Sequence, residues 1–130
     1  MDDKQRFEAG LKTRREVLGS EYVDRALAAA DDFTRPFQEF VTAQAWDVIW
    51  NRPGLDRKTR SIINLAVLSS LGRSPELASH VRGALNNGVM PDEIREVFIH
   101  VSGYAGFPAA VDAFRTAQPI VAEWTAGRRG

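Results

Sequence analysis

Two glutamate–histidine pairs are the residues of this chain best placed to do chemistry. The two histidines present, His80 and His100, each follow a glutamate by four positions, Glu76 and Glu96 respectively. On a helix that spacing puts carboxylate and imidazole on one face, within contact range. A carboxylate there holds one ring tautomer and raises the basicity of the imidazole, which suits a proton donor working near neutral pH. Two ordinary surface pairs would have the same spacing, and both readings stay open on spacing alone.

Other polar side chains could join such a site. Tyr104 falls one turn after His100 and could extend that pair as a hydrogen-bond donor, or it could be an interior aromatic with a satisfied hydroxyl. Arg73 lies seven positions before His80, two helical turns along a similar face, and a guanidinium there could grip a carboxylate bidentately. Arg60 sits in the first turn of a strongly apolar segment, where a cation opposes the helix dipole and so has reason to meet an anion. Arg82 is two positions from His80 and points elsewhere. Each arginine could equally be a solvated surface charge.

Several chemistries are disfavoured. The carboxylate-bridged di-iron pattern needs Glu-x-x-His, three apart, with further carboxylates on other helices; here the spacing is four, and no metal is expected. Ser79 precedes His80, but adjacent helical residues do not face each other. No phosphate-loop or dinucleotide fingerprint occurs, so no organic cofactor is expected. Lysine plus arginine equals aspartate plus glutamate, 17 each, which gives no electrostatic footprint for nucleic acid. The absence of cysteine excludes disulfides, thiol catalysis and thiolate metal sites. A charged start, Met1-Asp-Asp-Lys-Gln-Arg-Phe7, and the lack of an apolar run near the ~20 residues that span a bilayer point to a cytoplasmic protein without membrane contact. Anion binding joined to proton transfer is the chemistry left.

The elements that must position these groups read as helices. The 130 residues, 44% hydrophobic and 26% charged, fit a single domain over 1–130. Asp2 is placed to cap a first helix ending near Gly19, and Ser20 to cap a second through Ala30. Thr34 and Pro36 open a third that runs to Trp50 with Phe37, Phe40, Val41, Val48 and Ile49 as its apolar positions. Asp56 opens a fourth ending at Gly72, Ser74-Pro75 a fifth ending at Gly88, and Pro91 a sixth ending at Gly106. Pro108 opens a seventh, which Pro119 should kink or break. No alternating β-branched run competes, so the fold class is all-α with about seven helices. The fourth helix, with Ile62, Ile63, Leu65, Ala66, Val67, Leu68 and Leu71, should be buried on all sides. The third adds Trp46 and Trp50 on a second face, so that those rings could wall a pocket or a subunit interface, or simply be core. Excess apolar surface on the third and fourth helices predicts a homo-oligomer.

Taken together, Trp46-Asp-Val-Ile-Trp50-Asn-Arg-Pro-Gly-Leu55, Thr59-Arg60-Ser61, Glu76-Leu-Ala-Ser-His80-Val-Arg82, Asn86-Asn87-Gly88-Val89, His100, Tyr104-Ala-Gly106 and Pro108-Ala-Ala110 resemble the carboxymuconolactone decarboxylase family, nearly end to end. The resemblance implies the all-α fold of alkylhydroperoxidase D-like proteins, assembled as a trimer or hexamer. Thiol-using relatives of that fold carry a Cys-x-x-Cys before the histidine; Arg73 and Glu76 stand at those positions here, so thiol chemistry is lost. Many of the decarboxylases place a histidine where this chain has Arg115. The implied activity is cofactor-free decarboxylation of 4-carboxymuconolactone to the enol-lactone of β-ketoadipate, in protocatechuate catabolism. His80 would be the acid–base residue oriented by Glu76, His100 and Tyr104 would stabilise the dienolate, and Arg60, Arg73, Trp46 and Trp50 would bind substrate. Binding or isomerising another small carboxylated lactone, or a non-catalytic helical oligomer, are the alternatives.

Overall fold

The computed structural model describes residues 1–129. Its helices are α1 (Asp3–Leu18), α2 (Ser20–Ala28), α3 (Arg35–Val41), a π-helical segment continuing α3 (Thr42–Ile49), α4 (Arg57–Leu71), α5 (Ser74–Asn86), α6 (Pro91–Ala105) and α7 (Phe107–Arg129). No strand occurs among the described residues, so the all-α fold class predicted from the turn residues is the one found. Internal contacts divide the chain into two compact units, Met1–Asp56 and the remainder from Arg57.

In the first unit Asp2 caps α1 as its position suggests. Its carboxylate accepts from the Gln5 N–H at 2.8 Å while the Gln5 side chain accepts from the Asp2 N–H at 3.0 Å, a reciprocal capping box. Ser20 does not cap α2. Gly19 takes the cap position with φ 95°, a left-handed conformation that glycine adopts without strain, and Ser20 is already helical. Ahead of α3 the capping work falls to Asp31, whose carboxylate accepts from the N–H of Phe33 and of Thr34, both at 3.0 Å. These bonds hold the Asp31 carboxyl below the usual carboxylate range.

The third helix departs from expectation. It begins as an α-helix and relaxes at Thr42 into π geometry, closed by the i→i+5 bond from Trp50 N–H to the Ala45 carbonyl at 2.9 Å. Such widened turns are rare and recur at functional sites. The wider turn changes which side chains face inward. Thr42, Trp46 and Trp50 are buried, and Phe37 and Phe40 are exposed. The Trp46 and Trp50 rings stack 5.0 Å apart within a cluster containing Val17, Leu18 and Val23. α1 crosses the π segment at backbone contact: a Cβ on Gly10 would lie 2.0 Å from the Thr42 carbonyl oxygen, so any side chain there would force the two apart.

In the second unit α4 and α7 occupy the middle, each packing on both α5 and α6. Its core gathers Leu65 from α4, Leu77, Val81, Ala84 and Leu85 from α5, Ile94 and Phe98 from α6, and Ala113, Ala117 and Ile120 from α7. The side chains of two sequence motifs meet here: Asn87 Nδ2 donates to the hydroxyl of the fully buried Ser61 at 2.9 Å, tying the end of α5 to the start of α4. Within the single chain α4 is not covered all round. Ser61, Leu65 and Ser69 form its buried line, while Ile63, Val67 and Leu71, four apart along another face, are 43%, 46% and 66% exposed. Pro119 does not break α7, which runs through it. Pro119 and Arg115 are both exposed, so the carbonyl that loses its amide partner can turn towards water.

Candidate functional site

His80 sits at the edge of the buried line of α5, next to Val81, and is itself half-buried. Helix α5 starts at Ser74 with Pro75 in its first turn and Glu76 where the helix dipole favours an anion. Glu76 is exposed and acts on the imidazole through its charge, as the four-residue spacing predicts. A second partner comes from α4: the Asn64 side-chain amide nitrogen lies 3.4 Å from His80 Nδ1. With the amide donating, Nδ1 is the acceptor and the ring proton of neutral His80 resides on Nε2. Asn64 went unnoticed in the sequence. The signal available was a polar amide between Ile63 and Leu65 in the most apolar helix of the chain.

The electrostatic balance differs from the sequence expectation. Burial disfavours the imidazolium and outweighs the attraction of Glu76, so the His80 pKa falls from 6.5 to about 4. Glu76 does push basicity upward, but its carboxylate is solvated and its field is screened, whereas desolvation acts on the ring directly. At neutral pH His80 is therefore a neutral imidazole in the free chain, not a standing proton donor.

The other candidates are distributed differently. His100 and Tyr104 lie together on α6 with ring centroids 4.9 Å apart and planes inclined by 24°, a stacked pair rather than a hydrogen-bonded one. Both are exposed, Tyr104 by 86%, which removes the interior-aromatic reading of the tyrosine. Helices α5 and α6 are joined mainly through α4 and α7. Arg73 is the exposed cap residue of α5, and its carbonyl accepts from the Leu77 N–H at 2.8 Å. Arg60 is half-buried in α4. Arg82 reaches Glu123 on α7 at 3.8 Å, an exposed pair of little energetic weight. Arg115 is exposed on α7. Trp46 and Trp50, at 5% and 6% exposure, are core residues of the first unit and offer a ligand almost no surface. A groove between α6 and α7, floored by Ile94, Phe98 and Phe114 with Arg95 at its edge, contains none of the predicted site residues.

Among the described residues no three His, Asp or Glu side chains converge as a metal site, and no helix is long and apolar enough to cross a membrane. The all-helical fold is of the alkylhydroperoxidase D-like type without its thiols, with a half-buried histidine beside an exposed carboxylate and an amide. Residues 35–119 match the carboxymuconolactone decarboxylase family, and the chain belongs to that family. It is 47% identical to the 4-carboxymuconolactone decarboxylase of Acinetobacter baylyi over 120 residues, covering 92% of this chain and 90% of the relative. It is also 47% identical to the nitrosuccinic acid decarboxylase npaB of Metarhizium robertsii, over 88% of this chain and 80% of that one. A shorter match, 51% over 45 residues, is to a 4-carboxymuconolactone decarboxylase of Pseudomonas putida, covering 35% of this chain and 94% of the relative.

Proposed function

We propose that the protein is a cofactor-free carboxy-lyase that converts 4-carboxymuconolactone to the enol-lactone of β-ketoadipate. The observation that carries this reading is the 47% identity to the Acinetobacter baylyi decarboxylase over 92% of the chain. In this substrate the departing carboxylate sits on a ring carbon conjugated, through a ring double bond, to the lactone carbonyl. When the bond to that carboxylate breaks, its electron pair passes through the double bond onto the carbonyl oxygen and carbon dioxide leaves. The resulting dienolate takes one proton on the carbon next to the carbonyl. The substrate is its own electron sink, so the protein has only to hold carboxylates, stabilise the dienolate oxygen and deliver the proton.

His80 is assigned the proton delivery. A dianionic substrate beside the imidazole favours its charged form, so the ring loads a proton as substrate binds and gives it to carbon after carbon dioxide has left. Glu76 and Asn64 orient the ring. His100 and Tyr104 are the donors assigned to the dienolate oxygen, and Arg60 and Arg73 the cations for substrate carboxylates. A pair as exposed as His100 and Tyr104 works at an oxyanion only when another surface excludes water, and a second copy of the chain supplies one. The exposed Phe37 and Phe40 on α3 and Ile63, Val67 and Leu71 on α4 support a homo-oligomer, a trimer or hexamer. The family match runs across the boundary at Asp56, which supports a single functional domain over 1–130.

A second reading has its own support, because the Metarhizium robertsii relative is equally identical. Nitrosuccinate is also a dicarboxylate, with a nitro group positioned to accept the electron pair left by carbon dioxide. The deciding experiment offers both acids separately to the purified protein and measures carbon dioxide release. Turnover of 4-carboxymuconolactone at enzymic rates is expected. Release from nitrosuccinate alone would transfer the assignment, and release from neither would remove it.

A further inference from the structure

Arg14 is a buried cation without a counter-charge. It lies on α1 in the first unit with 8% of its surface exposed. Its Nη1 donates to the Gln38 side-chain oxygen at 3.1 Å and to the Thr42 hydroxyl at 3.2 Å, both neutral acceptors. Its Nε is fully buried and bonds to nothing among the described residues. No bond from Nη2 and no ion pair to a carboxylate is present among them either. Burial pulls its pKa below the ordinary arginine value, while the phenol of Tyr22 acts weakly in the other direction. A guanidinium stays protonated under such pressure, so the desolvation cost is borne by the fold.

The pattern of unused donors is informative. Nε and Nη2 form the edge of a guanidinium that matches the two oxygens of a carboxylate side by side. Nη1, on the other side, is the nitrogen already spent on Gln38 and Thr42. Those two residues lie just before and at the switch from α3 to π geometry, and Gly10, one turn before Arg14, permits the close crossing of α1 that brings the groups together. A purely structural arginine would be expected to spend its charged edge on an aspartate or glutamate, or to reach water.

We propose that Arg14, with Gln38 and Thr42, forms a carboxylate-binding site in the first unit that takes a small organic acid on its Nε–Nη2 edge. Nε itself is enclosed, so the ligand reaches the full edge as neighbouring side chains give way, and binding relieves an uncompensated charge. The site stands on the geometry of the first unit alone and does not depend on the roles assigned around His80.

The test titrates wild-type protein with succinate, with chloride at equal ionic strength as control. Tryptophan fluorescence, which includes Trp46 and Trp50 beyond the π switch, and melting temperature are followed. Saturable succinate binding that raises the melting temperature is expected, with no matching response to chloride. Arg14→Lys keeps the charge but loses the paired edge, and should weaken succinate at least tenfold. Gln38→Glu places a carboxylate on Nη1 and neutralises the guanidinium from within, and should raise the melting temperature of the ligand-free protein while weakening succinate at least tenfold. Should Arg14→Lys fail to fold, Gln38→Glu decides alone. Absence of saturable succinate binding to the wild type, or unchanged affinity in Gln38→Glu, overturns the proposal. A change in sedimentation of Gln38→Glu without any succinate binding would instead assign the edge to a carboxylate of a second copy, and also overturns it. Decarboxylation that persists while succinate fails to bind would sink this site and leave the proposed reaction standing.

Discussion

Asn64 Nδ2 approaches His80 Nδ1 to 3.4 Å, from α4 to α5 across the second unit. This contact gives the Nδ1 of His80 a partner from outside its own helix. In the proposed reaction, with the amide donating to Nδ1, Nε2 is the nitrogen assigned the working proton. Glu76 adds a field along the same helix but not the tautomer, because the ring nitrogen near Asn64 is already committed. The predicted consequence is that His80→Ala lowers kcat for decarboxylation by ~10²–10⁴-fold, the usual contribution of a positioned acid or base, with the helical circular dichroism unchanged. A variant retaining nearly all its activity would pass the role to another residue.

Asn64→Leu tests the same contact from its other end. The substitution keeps similar volume in α4 but leaves Nδ1 without its donor, so the ring can take the other tautomer. A fall in kcat larger than the rise in KM is expected, and Asn64→Gln should recover part of it. Equal kcat values in wild type and Asn64→Leu would reduce the contact to packing.

The pH dependence follows from the depressed pKa of His80, and its sign can be worked out. The group titrates near 6.5 when unfolded and at about 4 when folded. As pH falls through 6.5 the unfolded chain binds the proton first, so folded stability declines progressively to about pH 4; above 6.5 His80 contributes no pH dependence. Urea unfolding of wild type and His80→Gln between neutral pH and pH 4 should therefore diverge, with wild type losing more. Parallel curves would mean that His80 is not desolvated in solution. If the imidazole loads its proton on binding, calorimetry of a non-reacting dicarboxylate in buffers of different ionisation enthalpy should register proton uptake that His80→Gln lacks.

Much of this arrangement could be read in the sequence, for identifiable reasons. Helix ends marked by glycine and proline, at Gly72, Gly88, Pro91 and Gly106, fall within a few residues of where the chain turns, because those residues constrain the backbone locally. The Glu76–His80 pairing was legible because it is contained in one helix. What escaped depends on tertiary surroundings. The π switch at Thr42 has no local marker, so the sequence leaves open whether Trp46 and Trp50 wall a pocket or interface or are core, and the chain keeps them inside. The depressed pKa of His80 and its contact with Asn64 arise from the packing of α4 on α5, sixteen residues apart in sequence. Pro119 does not break α7, because a break depends on whether the freed carbonyl faces solvent, which spacing does not report.

Arg60 and Arg73 are expected to serve the substrate's carboxylates. Arg60→Ala or Arg73→Ala should raise KM for 4-carboxymuconolactone through loss of charge-assisted hydrogen bonds worth roughly 1.5–3 kcal/mol each. The exposed Arg73 is the more exposed to solvent screening and should have the smaller effect of the two. Steady-state kinetics in which neither variant moves KM by more than about twofold would return both to the class of surface charges.

The exposed line Ile63, Val67 and Leu71 on α4 gives the last prediction. These side chains are 43%, 46% and 66% exposed in the single chain, although they belong to its most apolar helix. Their spacing places them on one face, and an aligned apolar row of this kind is suited to burial against a second copy. The wild-type protein should therefore sediment as an oligomer at micromolar concentration. Val67→Glu and Leu71→Glu should shift it towards monomer, because each would bury an unpaired carboxylate at the contact. The line lies away from the buried Ser61–Leu65–Ser69 row, so the variants should keep their helical content. If water exclusion around His100 and Tyr104 comes from the second copy, monomeric variants should also lose decarboxylation, with activity returning as protein concentration is raised. A wild-type monomer at micromolar concentration, or active monomeric variants, would separate the exposed row from both assembly and catalysis.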